Sequence, residues 1–271
     1  MIIPVGDESA WTRCRQDLEN SLGILGHDSG VEVEILPCFD LEHKGAYLAR
    51  NDGLAKAKGD WIAWVDCDDI VECDWAKEIA EAVIAHPDAD IIQFDTFENW
   101  NGNIRLVEYK HKGSVNGEAF ARELLRNDGM PSWLWTRVFK RNLFDGVRFE
   151  GRVKHDYGMF LKILPRVKSV WSIGKPLYHY MRNGKGLSSY AQQMNYAAAG
   201  VGYEKSIAEL PLDWRHDANV GLALTMADVA RHSRVQNGAR RWVCKYLWSV
   251  LFDLKVPMRL KVKSLMAAIG V

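Results

Sequence analysis

Three carboxylates stand together directly after an apolar, strand-like segment. Trp61–Val65 is predicted as a buried strand, and Asp66, Asp68 and Asp69 follow it at once. In open α/β sheets, ligands bind outside the carboxyl ends of the strands. Because crowded carboxylates repel one another, a divalent cation such as Mg²⁺ or Mn²⁺ would stabilise them and could in turn hold a diphosphate. The alternative is a solvated acidic turn that caps the helix predicted from Asp74.

Alternating elements surround this cluster. The order β-α-β-α-β-α-β over the first hundred residues predicts an α/β domain with a mostly parallel sheet. The predicted strands cover residues 2–5, 31–36, 61–65 and 90–94, and the helices 8–22, 47–58 and 74–86. Further strands are predicted at 104–109, 135–139 and 169–173, and helices at 117–126 and 156–164. From about residue 190 the pattern is helical to the end, which predicts a domain over 1–190 and a helical region over 191–271.

The composition excludes several broad classes of protein. The 271 residues carry 35 lysines and arginines against 35 aspartates and glutamates, so nothing suggests a nucleic-acid partner. The five scattered cysteines include no C-x-x-C pair, which favours a reducing compartment over a disulfide framework. Neither a signal peptide nor an apolar run long enough to span a bilayer is apparent. We therefore expect a cytoplasmic protein that can lie at the inner face of the cell membrane.

The residues leading to the acidic cluster carry a family resemblance. They read Ala49-Arg-Asn-Asp-Gly-Leu54, then Ala57-Lys-Gly-Asp-Trp-Ile62, then Val65-Asp-Cys-Asp-Asp69. This order and spacing resemble the A-R-N-x-G…D-x-D-D block of inverting family-two glycosyltransferases, which have the GT-A fold. Such enzymes are Rossmann-like nucleotide-diphospho-sugar transferases.

Later segments extend the resemblance to about residues 1–190. They are Trp133–Phe144, Phe149-Glu-Gly151 with His155–Phe160, and Pro176–Arg182 with Leu187-Ser-Ser189. Two departures stand out. Pro37-Cys-Phe-Asp40 replaces the usual Asp-Asp-Gly-Ser, and the acidic pair before the acceptor-facing helix is reduced to His155-Asp156.

The resemblance implies a role for each matching residue. Asp68 and Asp66 would hold Mn²⁺ or Mg²⁺. The nucleotide sugar would contact Pro4, Asp40, Arg50, Asn51, Asp66, Arg182 and Ser188, the last two on a loop with Gly184 and Gly186. Arginine suits a diphosphate because its planar fork matches phosphate oxygens, although Arg182 could equally be an ordinary surface residue.

The acceptor side has its own candidates. Asp156 would be the general base that deprotonates the acceptor hydroxyl, with His155 orienting it or serving in its place. The alternative for Asp156 is a helix N-cap. Trp133 and Trp135 would stack on the acceptor sugar, although large aromatic residues are also frequent in ordinary cores.

The last part of the chain is basic. Between Arg234 and Lys263 there are eight lysines and arginines against Asp253 alone, a net charge of +7. Apolar residues recur within it at helical spacing, from Trp242 to Leu254. A basic amphipathic helix with a tryptophan at its edge is typical of binding to anionic membranes. The alternative is a helix packed on the catalytic domain with a solvated basic face.

These observations predict a metal-dependent inverting glycosyltransferase. It would move a sugar from a nucleotide sugar, UDP-linked by family frequency, to a hydroxyl of a glycan or lipid-linked acceptor in surface polysaccharide synthesis. A non-catalytic sugar-binding scaffold of the same fold is the first alternative. A haloacid-dehalogenase-like phosphatase is the second, because its D-x-D-x-(T/V) motif superficially fits residues 66–70. A nucleotidyltransferase would need a glycine-rich basic loop where Gly6-Asp-Glu8 stands.

Overall fold

A computed structural model describes residues 1–26, 29–126, 130–151, 154–182, 196–232 and 238–270. The chain divides into two compact units that are interleaved in sequence. The first comprises Met1–Gly117, Trp133–Arg152 and Arg166–Asn183, and the second comprises Glu118–Ser132, Val153–Pro165 and Gly184–Val271. The sequence, by comparison, predicts a single boundary near residue 190.

The first unit contains nine strands and three α-helices among its described residues. The strands are β1 (Ile2–Val5), β2 (Leu36–Phe39), β3 (Trp61–Ala63), β4 (Ile70–Val71), β5 (Ile91–Trp100), β6 (Asn103–Val107), β7 (Gly113–Asn116), β8 (Arg137–Lys140) and β9 (Ser169–Arg182). The helices are α1 (Glu8–Leu25), α2 (Ala46–Lys56) and α3 (Trp75–Ala85). Most of the predicted elements are confirmed to within a few residues.

The sheet is mixed, so the prediction of a mostly parallel sheet is wrong. β1 and β2 pair in parallel, and the other seven strands form a sheet with the central order β3-β8-β5-β9-β4. In that sheet only β5 and β9 are parallel neighbours. A parallel bridge joins Ile2 to Trp64, just beyond β3. β1, β2, β3, β5 and β9 therefore share one direction, and β8 from later in the chain is inserted between β3 and β5 in the opposite one.

The second strand lies further along the chain than predicted. Residues 31–35 are not a strand, and Leu36–Phe39 pair with Ile2–Val5 instead. The N–H of Leu36 donates to the carbonyl of Met1, just before β1, and the N–H of Asp40 donates to the carbonyl of Val5, at 2.8 Å each. Pro37 lies between these two donors. It has no N–H group, but no strand hydrogen bond is lost, because β2 is an edge strand paired with β1 on its other side.

A close approach between α2 and β1 explains one glycine of the family-like block. A methyl group on Gly53 would lie 2.2 Å from Cγ2 of Ile2. Both Ile2 and Ile3 are fully buried. Only a residue without a side chain lets the helix pack this tightly on the strand, and this contact sets the height of α2 above the sheet.

The second unit is helical. Its helices are α4 (Gly117–Arg126), α5 (His155–Ile163), α6 (Tyr196–Glu209), α7 (Arg215–His232), α8 (Ala239–Leu251) and α9 (Met258–Ile269). A buried cluster joins Val220, Ala223 and Leu224 of α7 to Val250 of α8 and Val256. α4 has the bounds that the sequence predicts. Within the described residues, none of the helices is long and apolar enough to cross a membrane.

The basic end of the chain is two helices and not one amphipathic helix. α8 ends at Leu251, and Leu254 lies in the turn before α9, where it is 97% exposed. Trp242, predicted at the edge of a membrane-facing helix, is buried at 1% exposure, and Val243 and Val250 are buried as well. The apolar face of α8 that the sequence indicates is thus used for packing inside the unit.

Candidate active site

The acidic turn connects two strands of the first unit. The backbone N–H of Val65 donates to Ile2 at 3.2 Å, so the chain stays beside β1 until the turn begins. The N–H of Asp69 closes the turn on the Asp66 carbonyl at 3.1 Å, and β4 follows directly. The helix cap proposed as the alternative is therefore wrong, since α3 starts only at Trp75 with Asp74 at its N-cap. The turn lies at the carboxyl end of the β3 segment, where α/β sheets bind ligands.

Asp66 is held by an arginine from α2. Nη2 of Arg50 donates to Oδ1 of Asp66 at 2.7 Å, and the Arg50 side chain is only 4% exposed. The guanidinium of Arg50 also lies 6.0 Å from the centre of the Phe149 ring. The Asp66 side chain retains 27% exposure. The A-R-N segment therefore contributes a buried cation that orients one carboxylate of the turn.

Asp69 and Tyr178 anchor the turn to β9. The Tyr178 hydroxyl donates to Oδ2 of Asp69 at 3.0 Å and accepts from the Asp66 N–H at 3.0 Å. Oδ1 of Asp69 accepts from the Met181 N–H at 2.7 Å. Burial, followed by the charges of Asp66 and Asp68, raises the pKa of Asp69 well above its ordinary value. Sequence reasoning placed Asp69 in the acidic cluster that a cation would stabilise, and it assigned Tyr178 no role.

Asp68 remains the least engaged carboxylate of the turn. Its backbone carbonyl accepts from Arg13 at 3.3 Å, but no described lysine, arginine or histidine pairs with its carboxylate. Burial and the neighbouring charge of Asp66 raise the pKa of Asp68. Across the described part of the chain, no group of three or more histidine, cysteine, aspartate or glutamate side chains is placed to hold a metal ion.

Two carboxylates are enough to bind a metal ion whose remaining ligands come from its substrate. Mg²⁺ in particular is usually bound by one or two protein carboxylates together with phosphate oxygens and water. Asp68 and the exposed part of Asp66 match that donor set, whereas both oxygens of Asp69 accept hydrogen bonds within the protein. A cation there would also offset the repulsion that raises the pKa of Asp68.

Asp40 and Asn51 make bonds within the first unit. Asp40 follows β2, and its two carboxylate oxygens accept from the N–H groups of Lys44 and Gly45, at 2.7 and 2.6 Å. Asn51 forms an amide pair with the backbone of Phe149, at 3.0 and 2.8 Å. Asn51 therefore ties α2 to the F-x-G segment, and both of its polar atoms have protein partners. Pro4 is buried in β1 opposite Cys38.

An aromatic stack extends from Tyr178. The Trp135 ring stacks on Tyr178 with centroids 4.6 Å apart and on Trp133 at 4.8 Å. Tyr180 lies 5.0 Å from Trp135 and 5.5 Å from Trp133. Trp135 is only 3% exposed, so it packs as a core residue that supports Tyr178. Trp133 is half-buried and is the tryptophan of this pair that presents surface to solvent.

Arg182 ends β9, one residue beyond Met181. Its Nη1 donates to Oε1 of Glu98 at 2.9 Å, and its guanidinium lies 3.9 Å from the centre of the Trp100 ring. Glu98 also accepts from Arg105 at 2.6 Å. Ser188 and the neighbouring glycines 184 and 186 lie outside the described residues.

The candidate base belongs to the second unit. α5 begins at His155, and Asp156 lies in its first turn. The N-cap is Lys154, with a left-handed φ of 46°, so the interpretation of Asp156 as the cap is wrong. Nε2 of His155 lies 3.3 Å from Oδ1 of Asp156, and the Asp156 side chain is 21% exposed. A histidine beside a partly exposed carboxylate is an arrangement that can orient a general base.

A comparison with protein-family models matches the segment that contains the acidic turn. Residues 38–145 match the model of glycosyl transferase family 2. Over those residues, the chain is similar to glycosyl transferase family 2. The matched segment contains Asp40, α2 with Arg50, the acidic turn and the tryptophan pair. This similarity favours a transferase over the phosphatase alternative.

Two curated proteins are similar to the chain. Glycosyltransferase GlyA of Streptococcus pneumoniae is 26% identical over 152 residues, which cover 52% of this chain and 22% of that protein. The putative glycosyltransferase EpsH of Bacillus subtilis is 22% identical over 180 residues, covering 62% of this chain and 51% of that protein. The chain thus matches about half, or less, of the length of these relatives.

A solved structure shows the same fold. The crystal structure of S. aureus TarS residues 1–349 in complex with UDP-GlcNAc superposes with a TM-score of 0.64 at 14% sequence identity. The match covers 99% of this chain and 86% of that one. The fold of the chain is therefore the α/β GT-A fold, with C-terminal helices included in the match.

Proposed function

We propose that the protein is an inverting glycosyltransferase. It moves a sugar from a nucleotide sugar to a hydroxyl group of a glycan or lipid-linked acceptor, in the synthesis of a surface polysaccharide. The observation that carries the proposal is the acidic turn of Asp66 and Asp68, oriented by Arg50, inside the family-two segment. A UDP-linked donor is supported by the TarS structure of the same fold, which contains UDP-GlcNAc.

Donor binding is assigned to residues of the first unit and to Ser188. Asp66 and Asp68 would hold Mn²⁺ or Mg²⁺, which when bound neutralises charge on the departing diphosphate. Arg50 keeps Asp66 in place, because its buried guanidinium donates to the carboxylate at 2.7 Å. Asp40, at the end of β2, is the carboxylate assigned to the nucleotide base, and Pro4 lines the neighbouring strand. Arg182 and Ser188 are assigned to the diphosphate.

Acceptor activation is assigned to Asp156. Its carboxylate takes the proton of the acceptor hydroxyl while that oxygen bonds to the anomeric carbon and the bond to the nucleoside diphosphate breaks. One displacement of this kind inverts the anomeric configuration. His155 at 3.3 Å orients the carboxylate, and general-base assistance of this sort contributes about 10²–10⁴-fold to the rate. Trp133 is assigned to the acceptor sugar, with Trp135 behind it in the stack.

The proposal is tested with a panel of nucleotide sugars. Thermal unfolding with Mn²⁺ identifies the donor, and the released product identifies the reaction. Nucleoside diphosphate release supports the transferase, inorganic phosphate release supports a phosphatase, and neither product supports a non-catalytic scaffold.

Variants separate the donor role from the acceptor role. Asp68→Asn should lose the Mn²⁺-dependent stabilisation by the donor, whereas Asp88→Asn, a change at an exposed aspartate of the same unit, should keep it. Asp156→Asn should bind the donor normally but lose transfer by about 10²-fold or more. Near-normal transfer by Asp156→Asn would contradict the assignment of the base.

A further inference from the structure

The last helix of the second unit exposes an apolar stripe. Met258, Val262, Leu265 and Ile269 are 72%, 49%, 43% and 61% exposed. Their spacing of four, three and four residues places them on one face of α9. The buried residues of this helix are small, namely Ser264, Ala267 and Ala268. α9 therefore packs on its unit through these small side chains together with Leu260, and it presents the four residues of the stripe to solvent, whereas an ordinary surface helix buries most of its large apolar residues.

Positive charge borders this stripe on both sides. At about 100° per residue, Arg259 lies on one flank of the stripe and Lys261 on the other. No aspartate or glutamate occurs in residues 254–270. The nearest acidic residue in the sequence, Asp253, is engaged by Arg126 and His216, at 2.9 Å each, and its side chain is 6% exposed. The surface is apolar along its centre and cationic at its edges.

The turn before α9 adds further apolar groups. Leu254 is 97% exposed, Phe252 is 76% exposed, and Trp248 on α8 is 65% exposed. The rings of Trp248 and Phe252 stack with their centroids 5.4 Å apart. Exposed tryptophan and phenylalanine beside lysine and arginine are typical of helices that lie in a membrane interface.

We propose that this surface, formed by the exposed face of α9 and the turn 252–257, docks on an anionic lipid bilayer. The helix has 12 residues, so it lies in the plane of the interface and does not cross the bilayer. Lipid fits better than a second copy of the chain, because two such surfaces brought together would oppose their own positive charges. The inference stands on the second unit alone and does not require the proposed transferase activity.

The test is sedimentation of the full chain with vesicles. Vesicles of phosphatidylglycerol and phosphatidylcholine should bind the protein, and binding should weaken as salt rises, because salt screens the contribution of Lys and Arg. Pure phosphatidylcholine vesicles should bind it much less. The double variant Arg259→Gln/Lys261→Gln should lower the partition coefficient on anionic vesicles by about thirtyfold.

Apolar variants supply the second measurement. The triple variant Leu254→Ser/Met258→Gln/Ile269→Gln should lower the partition coefficient by about tenfold or more, since these side chains no longer enter the interface. Leu212→Gln changes another residue of the unit that is 79% exposed and should leave binding unchanged. Circular dichroism checks that each variant is folded.

Two outcomes would overturn the proposal. Equal partitioning of the triple variant, the Leu212→Gln variant and the unaltered chain would show that this surface does not meet lipid. Light scattering that reports a dimer of the unaltered chain and a monomer of the triple variant, without vesicle binding by either, would assign the surface to self-association. Donor binding and product release are measured separately, so failure of one proposal leaves the other standing.

Discussion

Replacement of Tyr178 by phenylalanine tests whether the acidic turn depends on its anchor to β9. The change removes a hydroxyl that donates to Asp69 at 3.0 Å and accepts from the Asp66 N–H at 3.0 Å, while the ring can still stack on Trp135. Tyr178 is fully buried, so no water replaces the lost partner easily. A hydrogen bond to a charged group contributes about 1.5–3 kcal/mol. For a chain of this size that corresponds to a fall in Tm of about 3–12 °C.

The same change should weaken donor binding. Asp66 would keep Arg50 but lose the bond that holds its backbone, so the turn would relax around the proposed metal ligands. Loss of a supporting bond behind metal ligands typically lowers metal affinity by about 10–100-fold. Urea unfolding measures the stability, and the Mn²⁺ dependence of the thermal shift with UDP measures the affinity.

A matched control comes from a second buried tyrosine of the same unit. Tyr109 is 3% exposed, and its hydroxyl bonds to the Thr136 hydroxyl at 2.8 Å and to the Arg137 guanidinium. Because it too loses a bond to a charged group, Tyr109→Phe should cost a similar amount, about 1.5–3 kcal/mol, yet leave the Mn²⁺ dependence as it was. If Tyr178→Phe leaves the Mn²⁺ response as unchanged as Tyr109→Phe does, the anchoring role of Tyr178 is refuted.

Further predictions concern stability. Gly53→Ala should lower the free energy of unfolding in urea by about 1–3 kcal/mol, because its methyl group would lie 2.2 Å from Ile2. Gly23→Ala in α1 is the control and should raise it, because nothing lies within 4 Å of the added methyl group. A gain in stability from both variants would contradict the packing argument. Burial alone would raise the pKa of Asp253, but hydrogen bonds, Arg126 foremost, outweigh it and lower that pKa well below its ordinary value. The stabilisation by the Arg126–Asp253 ion pair is therefore complete above the pKa of Asp253 in the unfolded chain, near 4. It is lost as the pH falls towards the lower pKa of Asp253 in the folded protein. Asp253→Asn should accordingly lower the free energy of unfolding at pH 7 by about 3–5 kcal/mol and less at pH 3, and an equal loss at both pH values would argue against the ion pair.

Helices and strands that depend on residues close by in the sequence could be predicted from it. α4 has its predicted bounds, and β1 and the acidic turn lie where the apolar pattern and the aspartates place them. The 14-residue length of β9 was not predictable, because the sequence indicates only its first five residues as a strand. Its later half, residues 176–182, is a strand because it pairs with β5 over residues 95–100.

The burial of the site residues could not be predicted from the sequence either. A motif shows that Trp135 and Asn51 occur at the expected spacing, but it does not show that one is 3% exposed and the other is paired with the Phe149 backbone. The role of Tyr178 arises from two bonds to residues more than a hundred positions away. Such contacts have no local signal in a single sequence.

The family resemblance, the approximate positions of the elements and the residues of the acidic turn could therefore be read from the order of residues, because capping, periodicity and motif spacing act over a few positions. The direction of β8, the anchoring of the acidic turn by Tyr178 and the outward stripe of α9 were not. Each of these follows from which distant segments pack together, and packing selects among arrangements that local preferences leave open. The tail shows this most clearly: its apolar residues were visible in the sequence, and tertiary packing buried Trp242 and left Met258 and Leu254 exposed.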